Sequence, residues 1–187
     1  MMETILEQVR DFADRAHGEQ TRKYTPDRYI VHPVRVMALC RSYTADVTVL
    51  SAALLHDVLE DTPVTKETIY NFLLPIMGDG NAVKTIELVE ALTDVYVKAS
   101  YPHMNRRARK AREAERLAHT PTEAQTIKYA DIIDNSTEIA QQDPSFAKVF
   151  LHEAQQLLRV MTAGNPQLRQ QAVDTVTRAR EMLQNRP

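Results

Sequence analysis

The stretch VTVLSAALLHDVLEDT, Val47 to Thr62, decides how the chain folds. Val47 to Leu55 is apolar on every face, so it reads as a helix buried all round. His56, Asp57, Glu60 and Asp61 follow at once, four acidic or imidazole groups within six positions. Unpaired charge at the end of a core helix is costly to bury. A divalent cation held by several of these groups removes that penalty. The spacing predicts one helix from about Asp46 to Leu59, with Pro63 stopping it.

A helix buried all round needs other helices about it, and the rest of the chain supplies them. Gly is scarce, at 4 of 187 residues, and helix formers run in long stretches, so the fold class is expected to be all-α. Ile5, Leu6, Val9, Phe12, Ala13 and Ala16 recur at helical spacing before Gly18. Residues 19–31 read as a loop. Pro33 suits the first turn of a second helix holding Val36, Met37, Leu39 and Cys40. Thr65 is the expected N-cap of a helix ending near Gly78, and a further helix covers roughly Asn81 to Leu92, with Val83, Ile86, Val89 and Leu92 on its buried stripe. After a loop at 93–104 comes a strongly charged helix, Asn105 to Ala118. Thr120 then reads as an N-cap with Pro121 at the first position and Glu123 closing a capping box, for a helix to about Gln142. Asp143-Pro144 and Asn165-Pro166 begin two more helices. No segment alternates apolar and polar residues well enough for a strand. The expectation is a single domain over residues 1–187, a bundle of about eight to ten helices.

Composition excludes several classes. A net charge of −2 and a pI near 6.3 argue against a general nucleic-acid binder. Cys40 is the single cysteine, so an intrachain disulfide and a Cys-rich zinc site are both excluded. No run of 18 apolar residues exists, so no membrane span is expected. The first residues lack a basic region followed by an apolar one, so no signal peptide is expected and the location is expected to be cytoplasmic. The expected partner is a small molecule rather than a nucleic acid or a membrane.

His56 and Asp57 point about 100° apart on a helix and can share one ion beside it. A catalytic site commonly uses three or more protein ligands. His32, just before Pro33, is a third candidate. The run from Lys128 to Asn135 supplies a fourth: Asp131 and Asn135 lie four apart on one face of an otherwise apolar helix. The set His32, His56, Asp57 and Asp131 suits Mn²⁺, Fe²⁺ or Zn²⁺. Lys98, Asn105, Arg106 and Arg109 fall in the basic stretch. Arg107, Lys110, Arg112 and Arg116 read as a solvated helix face paired within the helix to Glu113 and Glu115. His17, His119 and His152 read as core residues, and His103 as a loop residue.

These residues carry a family resemblance. His32, His56-Asp57 and Asp131 match the H…HD…D pattern of the HD-domain phosphohydrolases. More narrowly, the chain resembles the RelA/SpoT-type small alarmone hydrolases. That resemblance rests on Arg22-Lys23 before Tyr29-Ile30-Val31-His32-Pro33, on Ala53 to Thr62, on Leu92-Thr93-Asp94, and on Lys128-Tyr129-Ala130-Asp131 with Asn135. It spans roughly residues 10–140, and the helices from about 144 onward are expected to complete the core.

The resemblance implies an Mn²⁺-dependent enzyme that removes pyrophosphate from the 3′ position of guanosine tetra- or pentaphosphate. It implies that Glu60 and Asp61 position or deprotonate the attacking water, Glu60 lying one turn beyond His56. It implies that Arg22 and Lys23 hold the base, where a guanidinium plane stacks on a purine. It implies Lys98, Asn105, Arg106 and Arg109 as candidates for phosphate contacts. Asn135 matches a residue lining the nucleoside pocket. Three positions later the long enzymes usually carry Thr, and this chain has Glu138. A carboxylate there accepts from guanine or from adenine, so (p)ppApp stands beside (p)ppGpp as a substrate. The alternatives are an HD phosphatase acting on another nucleotide such as NADPH, a nucleotide-binding module without turnover, and a helical partner-binding module.

Overall fold

The computed structural model describes residues 2–185. Their regular structure is ten helical segments, plus an isolated antiparallel bridge between Thr21 and Arg28. The helices are α1 (Met2–His17), α2 (Val31–Arg41), α3 (Val47–Leu55), α4 (Val58–Asp61), α5 (Lys66–Met77), α6 (Asp79–Leu92), α7 (Arg106–Leu117), α8 (Thr122–Gln142), α9 (Pro144–Val160) and α10 (Pro166–Gln184). The all-α expectation is met. No helix of the described residues is long and apolar enough to cross a membrane. The chain divides into two compact units, one up to Thr93 and one from Asp94.

In the first unit α3 is the axis. Every side chain from Thr48 to Leu55 is buried, as an all-round apolar helix requires. It packs against α1, α2 and α6, and α5 packs on α6. Asp46 starts α3 by accepting the Thr48 amide proton. The helix expected to run from Asp46 to Leu59 is broken: α3 ends at Leu55, and α4 begins at Val58. His56 and Asp57 form the turn between them, with Asp57 at φ −96°, ψ −7° in the bridge region where functional residues often sit.

Other boundaries also differ from the sequence reading. Gly78, at φ 76°, ends α5 and opens α6 directly, so α6 starts at Asp79 rather than Asn81. Val83 is 40% exposed, while Ile86, Val89 and Leu92 form the buried stripe. α2 starts at Val31, two residues before Pro33, which puts His32 in the first turn.

The second unit is built on α8, against which α9 and α10 pack, while α7 packs on α9. Asp143 and Asn165 cap α9 and α10 as their sequence positions suggest. Thr120 does not cap α8. Its hydroxyl donates 2.7 Å to the Leu117 carbonyl, closing the end of α7, and Pro121 takes the position before α8. Tyr129 is fully buried, and its hydroxyl donates to the Met161 carbonyl at 2.9 Å. Tyr129 is therefore a core residue. Leu168, Ala172, Val176, Ala179 and Leu183 form one buried stripe on α10.

Gly164, between α9 and α10, lies against α8. A Cβ there would stand 2.6 Å from the Tyr129 ring and 2.8 Å from the Thr126 backbone nitrogen. Gly164→Ala is expected to destabilise the chain by about 1–3 kcal/mol through overpacking, read as a lower thermal midpoint. An unchanged midpoint would show that α8 and this loop can part freely.

Candidate functional site

The broken helix places three donors together. His32 in the first turn of α2, His56 in the turn after α3, and Asp57 beside it offer ligand atoms that all lie within 4.8 Å of one another. The Asp57 Oδ2 is 3.0 Å from His56 Nε2 and 3.6 Å from His32 Nε2. Both imidazoles are buried, and their rings meet edge to face at 5.1 Å.

The tautomer of His56 follows from its partner. Its Nδ1 lies 2.8 Å from the Ala53 carbonyl, so Nδ1 carries the proton and donates. In the neutral ring Nε2 then presents a lone pair to a carboxylate oxygen 3.0 Å away. Two lone pairs at that separation repel unless a proton or a cation lies between them. A divalent ion satisfies two imidazole nitrogens and a carboxylate at once, and this donor set fits borderline divalent metals.

Tyr29 joins this cluster to the next acid. Its hydroxyl oxygen is 2.8 Å from Asp57 Oδ2 and 3.0 Å from Asp61 Oδ2. Burial, then the charges of Asp57 and Asp61, drive its pKa far above the ordinary phenol value, so it stays a donor. The Asp61 carboxyl is held above the usual carboxylate range, first by partial desolvation and then by Asp57. Glu60 lies exposed in the short α4, which a turn separates from α3, so the one-turn relation to His56 on a single helix does not apply.

The expected base-side pair sits on the small loop closed by the Thr21–Arg28 bridge. Arg22 is buried with its guanidinium carbon 5.5 Å from the centre of the Tyr29 ring. Lys23 is exposed and lies over the Tyr24 ring at 4.8 Å.

The second unit holds its own cavity, about 180 Å³, walled by α7, α8 and α9 and lined by charged and apolar side chains together. Asp131 lies on its wall, its carboxylate bonded to Lys128 at 2.8 Å and to Asn135 at 2.6 Å. Arg106 also lines it, held by two 2.8 Å bonds to Glu153. Asn105 caps α7 by accepting the Ala108 amide proton, and Arg109 donates to the Met104 carbonyl. Lys98 is exposed on the loop before α7, and Glu138 is half-buried on α8.

Several readings from sequence change here. Lys110 pairs with Asp94 at 2.8 Å rather than within its helix, and it lines the cavity. Glu113 is buried and accepts the backbone N–H groups of Val95 and Tyr96 as well as Arg116. Arg112 does pair within the helix, with Glu115. His17 is buried, but His119 and His152 are exposed, bonded to the Glu115 carbonyl and to Gln156. Lys128 carried a sequence signal only as part of the motif around Asp131, and Lys110 carried none, because its partner lies 16 residues away.

A family profile described as HD domain matches residues 29–136. The chain belongs to the HD-domain family. The matched residues include the His56-Asp57 turn described above. Among HD relatives, the human guanosine-3′,5′-bis(diphosphate) 3′-pyrophosphohydrolase MESH1 is 33% identical over 144 residues, covering 74% of this chain and 72% of that protein. An Aquifex aeolicus guanosine-3′,5′-bis(diphosphate) 3′-pyrophosphohydrolase is 44% identical over 64 residues, and the match spans 9% of that protein's length. The HD fold is shared with a solved metazoan orthologue of SpoT, described as hydrolysing ppGpp, at a TM-score of 0.77 and 24% identity over 94% of this chain and 95% of that one. A Listeria monocytogenes structure aligns at a TM-score of 0.60 and 24% identity, over 83% and 99% of the two chains.

The donor geometry makes a direct forecast. Asp57→Asn is expected to weaken divalent-ion binding by about 10-fold or more, as loss of one anionic ligand does, measured by titration calorimetry. Wild-type affinity in that variant would remove Asp57 from the ligand set.

Proposed function

We infer that this chain is a metal-dependent 3′-pyrophosphohydrolase of alarmone nucleotides, (p)ppGpp or (p)ppApp. One observation carries the reading: His32, His56 and Asp57 converge with a fixed His56 tautomer, in an HD chain whose human relative over three quarters of its length bears that activity's name. His32, His56 and Asp57 hold the cation, which is Mn²⁺. When bound, the ion lowers the pKa of a water and polarises the phosphoryl group beside the 3′ oxygen.

The chain's own residues do the rest. Asp61, with its carboxyl above the usual range, and Glu60 orient the water and take its proton. The water oxygen forms a bond to the phosphorus next to the 3′ oxygen. The bond between that phosphorus and the 3′ oxygen breaks, pyrophosphate departs, and the 3′ oxygen recovers a proton. Arg22 and Lys23, on the loop closed by the Thr21–Arg28 bridge, hold the base. A substrate with five or more negative charges needs further cations. In the second unit, Arg106, Lys110 and Lys128 at the cavity wall are the candidates for phosphate contacts, with Lys98, Asn105 and Arg109 nearby in sequence. In each cavity cation a carboxylate partner now holds the site that a phosphate oxygen would take.

The purified chain with Mn²⁺ is expected to release pyrophosphate from ppGpp or ppApp, and a chelator is expected to abolish the release. Inorganic phosphate as product, or no product from either nucleotide, would overturn the reading. Glu60→Gln is expected to keep metal affinity near wild type while lowering kcat by about 100-fold, the scale of a lost general base. Wild-type turnover in that variant would remove Glu60 from the reaction.

A further inference from the structure

Tyr29 contacts more of the first unit's polar cluster than its place in a motif suggests. Its hydroxyl meets both Asp57 and Asp61. Its ring lies 4.4 Å from the His17 ring, 6.1 Å from the His32 ring and 5.5 Å from the Arg22 guanidinium. Its backbone N–H donates 2.9 Å to the Gln20 carbonyl, which anchors the loop end that carries it. A packed phenol with two torsions is a stiff support.

His17 reaches the Asp61 backbone by another route. The Gln20 side-chain nitrogen donates 2.9 Å to the Asp61 carbonyl, so the Gln20 side-chain oxygen is the atom facing His17 Nδ1 at 2.9 Å. Nδ1 therefore carries the proton. The other ring nitrogen, Nε2, is buried with no hydrogen-bond partner among the described residues. An unsatisfied buried nitrogen carries a desolvation penalty that a phenyl ring stacked on Tyr29 would avoid. The imidazole's distinct contribution at position 17 is its Nδ1 bond.

We propose that Tyr29 is a positioning residue that sets the Asp57 and Asp61 carboxylates against each other, and that His17 steadies Asp61 through Gln20. A phenol has one proton, so the two carboxylates share a single donor. Their oxygens are thereby kept within hydrogen-bond reach of one atom. Asp57 is a proposed metal ligand and Asp61 a proposed proton acceptor, so the distance between them sets where the water lies relative to both. For turnover this inference rests on the hydrolase reading above. For metal affinity it rests on the geometry alone.

The test separates the two. Tyr29→Phe keeps the ring and removes one oxygen. In the substrate-free chain it is expected to weaken Mn²⁺ binding by about 10-fold, the usual scale for losing a group that orients a metal ligand. With nucleotide it is expected to lower kcat by about 10-fold or more while KM stays within about twofold, the pattern of a group acting only in the transition state. His17→Asn places an amide nitrogen near the Nδ1 position and is expected to retain most of kcat. His17→Phe keeps the stacking and is expected to lose about 10-fold. Mn²⁺ affinity within about twofold of wild type in Tyr29→Phe would overturn the proposal. Equal impairment of the two His17 variants would overturn its second half. A wild-type chain that releases no pyrophosphate would defeat the proposed activity, and the Mn²⁺ comparison would still decide the role of Tyr29. If Tyr29→Phe does not fold, as judged by circular dichroism, Tyr29→Gln, which keeps a donor, and Tyr29→Met, which has none, replace it, and equal Mn²⁺ affinity in those two would overturn the proposal.

Discussion

The 2.8 Å bond from His56 Nδ1 to the Ala53 carbonyl is the contact on which the candidate site depends. α3 stops at Leu55, so the Ala53 carbonyl is among the last four, which lack partners within the helix. His56 satisfies it and in doing so fixes its own tautomer. Its Nε2 lone pair then faces Asp57 at 3.0 Å. One helix end thus does two things: it satisfies the Ala53 carbonyl at the end of an all-apolar helix, and it prepares a donor pair that only a cation or a proton can reconcile. The apolar run before it keeps the imidazole in dry surroundings, where such a pairing is felt most strongly.

Charge in the second unit is handled differently. Arg106, Lys110 and Lys128 each meet a carboxylate, and two of those partners come from outside the cation's own helix. These pairs hold long side chains at the cavity wall instead of letting them extend into solvent. A polyanion entering the cavity would meet cations already oriented and would compete with Glu153, Asp94 and Asp131 for them. Pairs of this kind at partly exposed positions contribute little to stability. Their consequence is orientation. Glu113 plays the matching structural part, tying the 93–104 loop to α7 through the Val95 and Tyr96 amides.

Much of the architecture was legible because it depends on local chemistry. Asp46 caps α3, Thr65 caps α5, Asp143 and Asn165 cap α9 and α10, and Gly78 takes the positive φ that ends α5. Each acts over four residues or fewer. The misreadings share the opposite character. Thr120 had two helix ends within reach and served the earlier one. Lys110 had acids on its own helix and chose Asp94. His119 and His152 sat in sequences that looked apolar enough to bury them, yet lie exposed. In each case the local pattern allowed two outcomes, and packing selected one.

The sequence by itself determined the helical class, most helix boundaries and the residue types of a divalent-metal site, because periodicity, caps and donor chemistry act between near neighbours. Only the tertiary structure decided that the central helix breaks at His56-Asp57, that His32 closes on that turn, and that Tyr29 stands between Asp57 and Asp61. Those facts depend on which side chains meet across 24 to 32 positions of chain. No local propensity encodes a distance between residues so far apart; burial of α3 against α1 and α2 sets it.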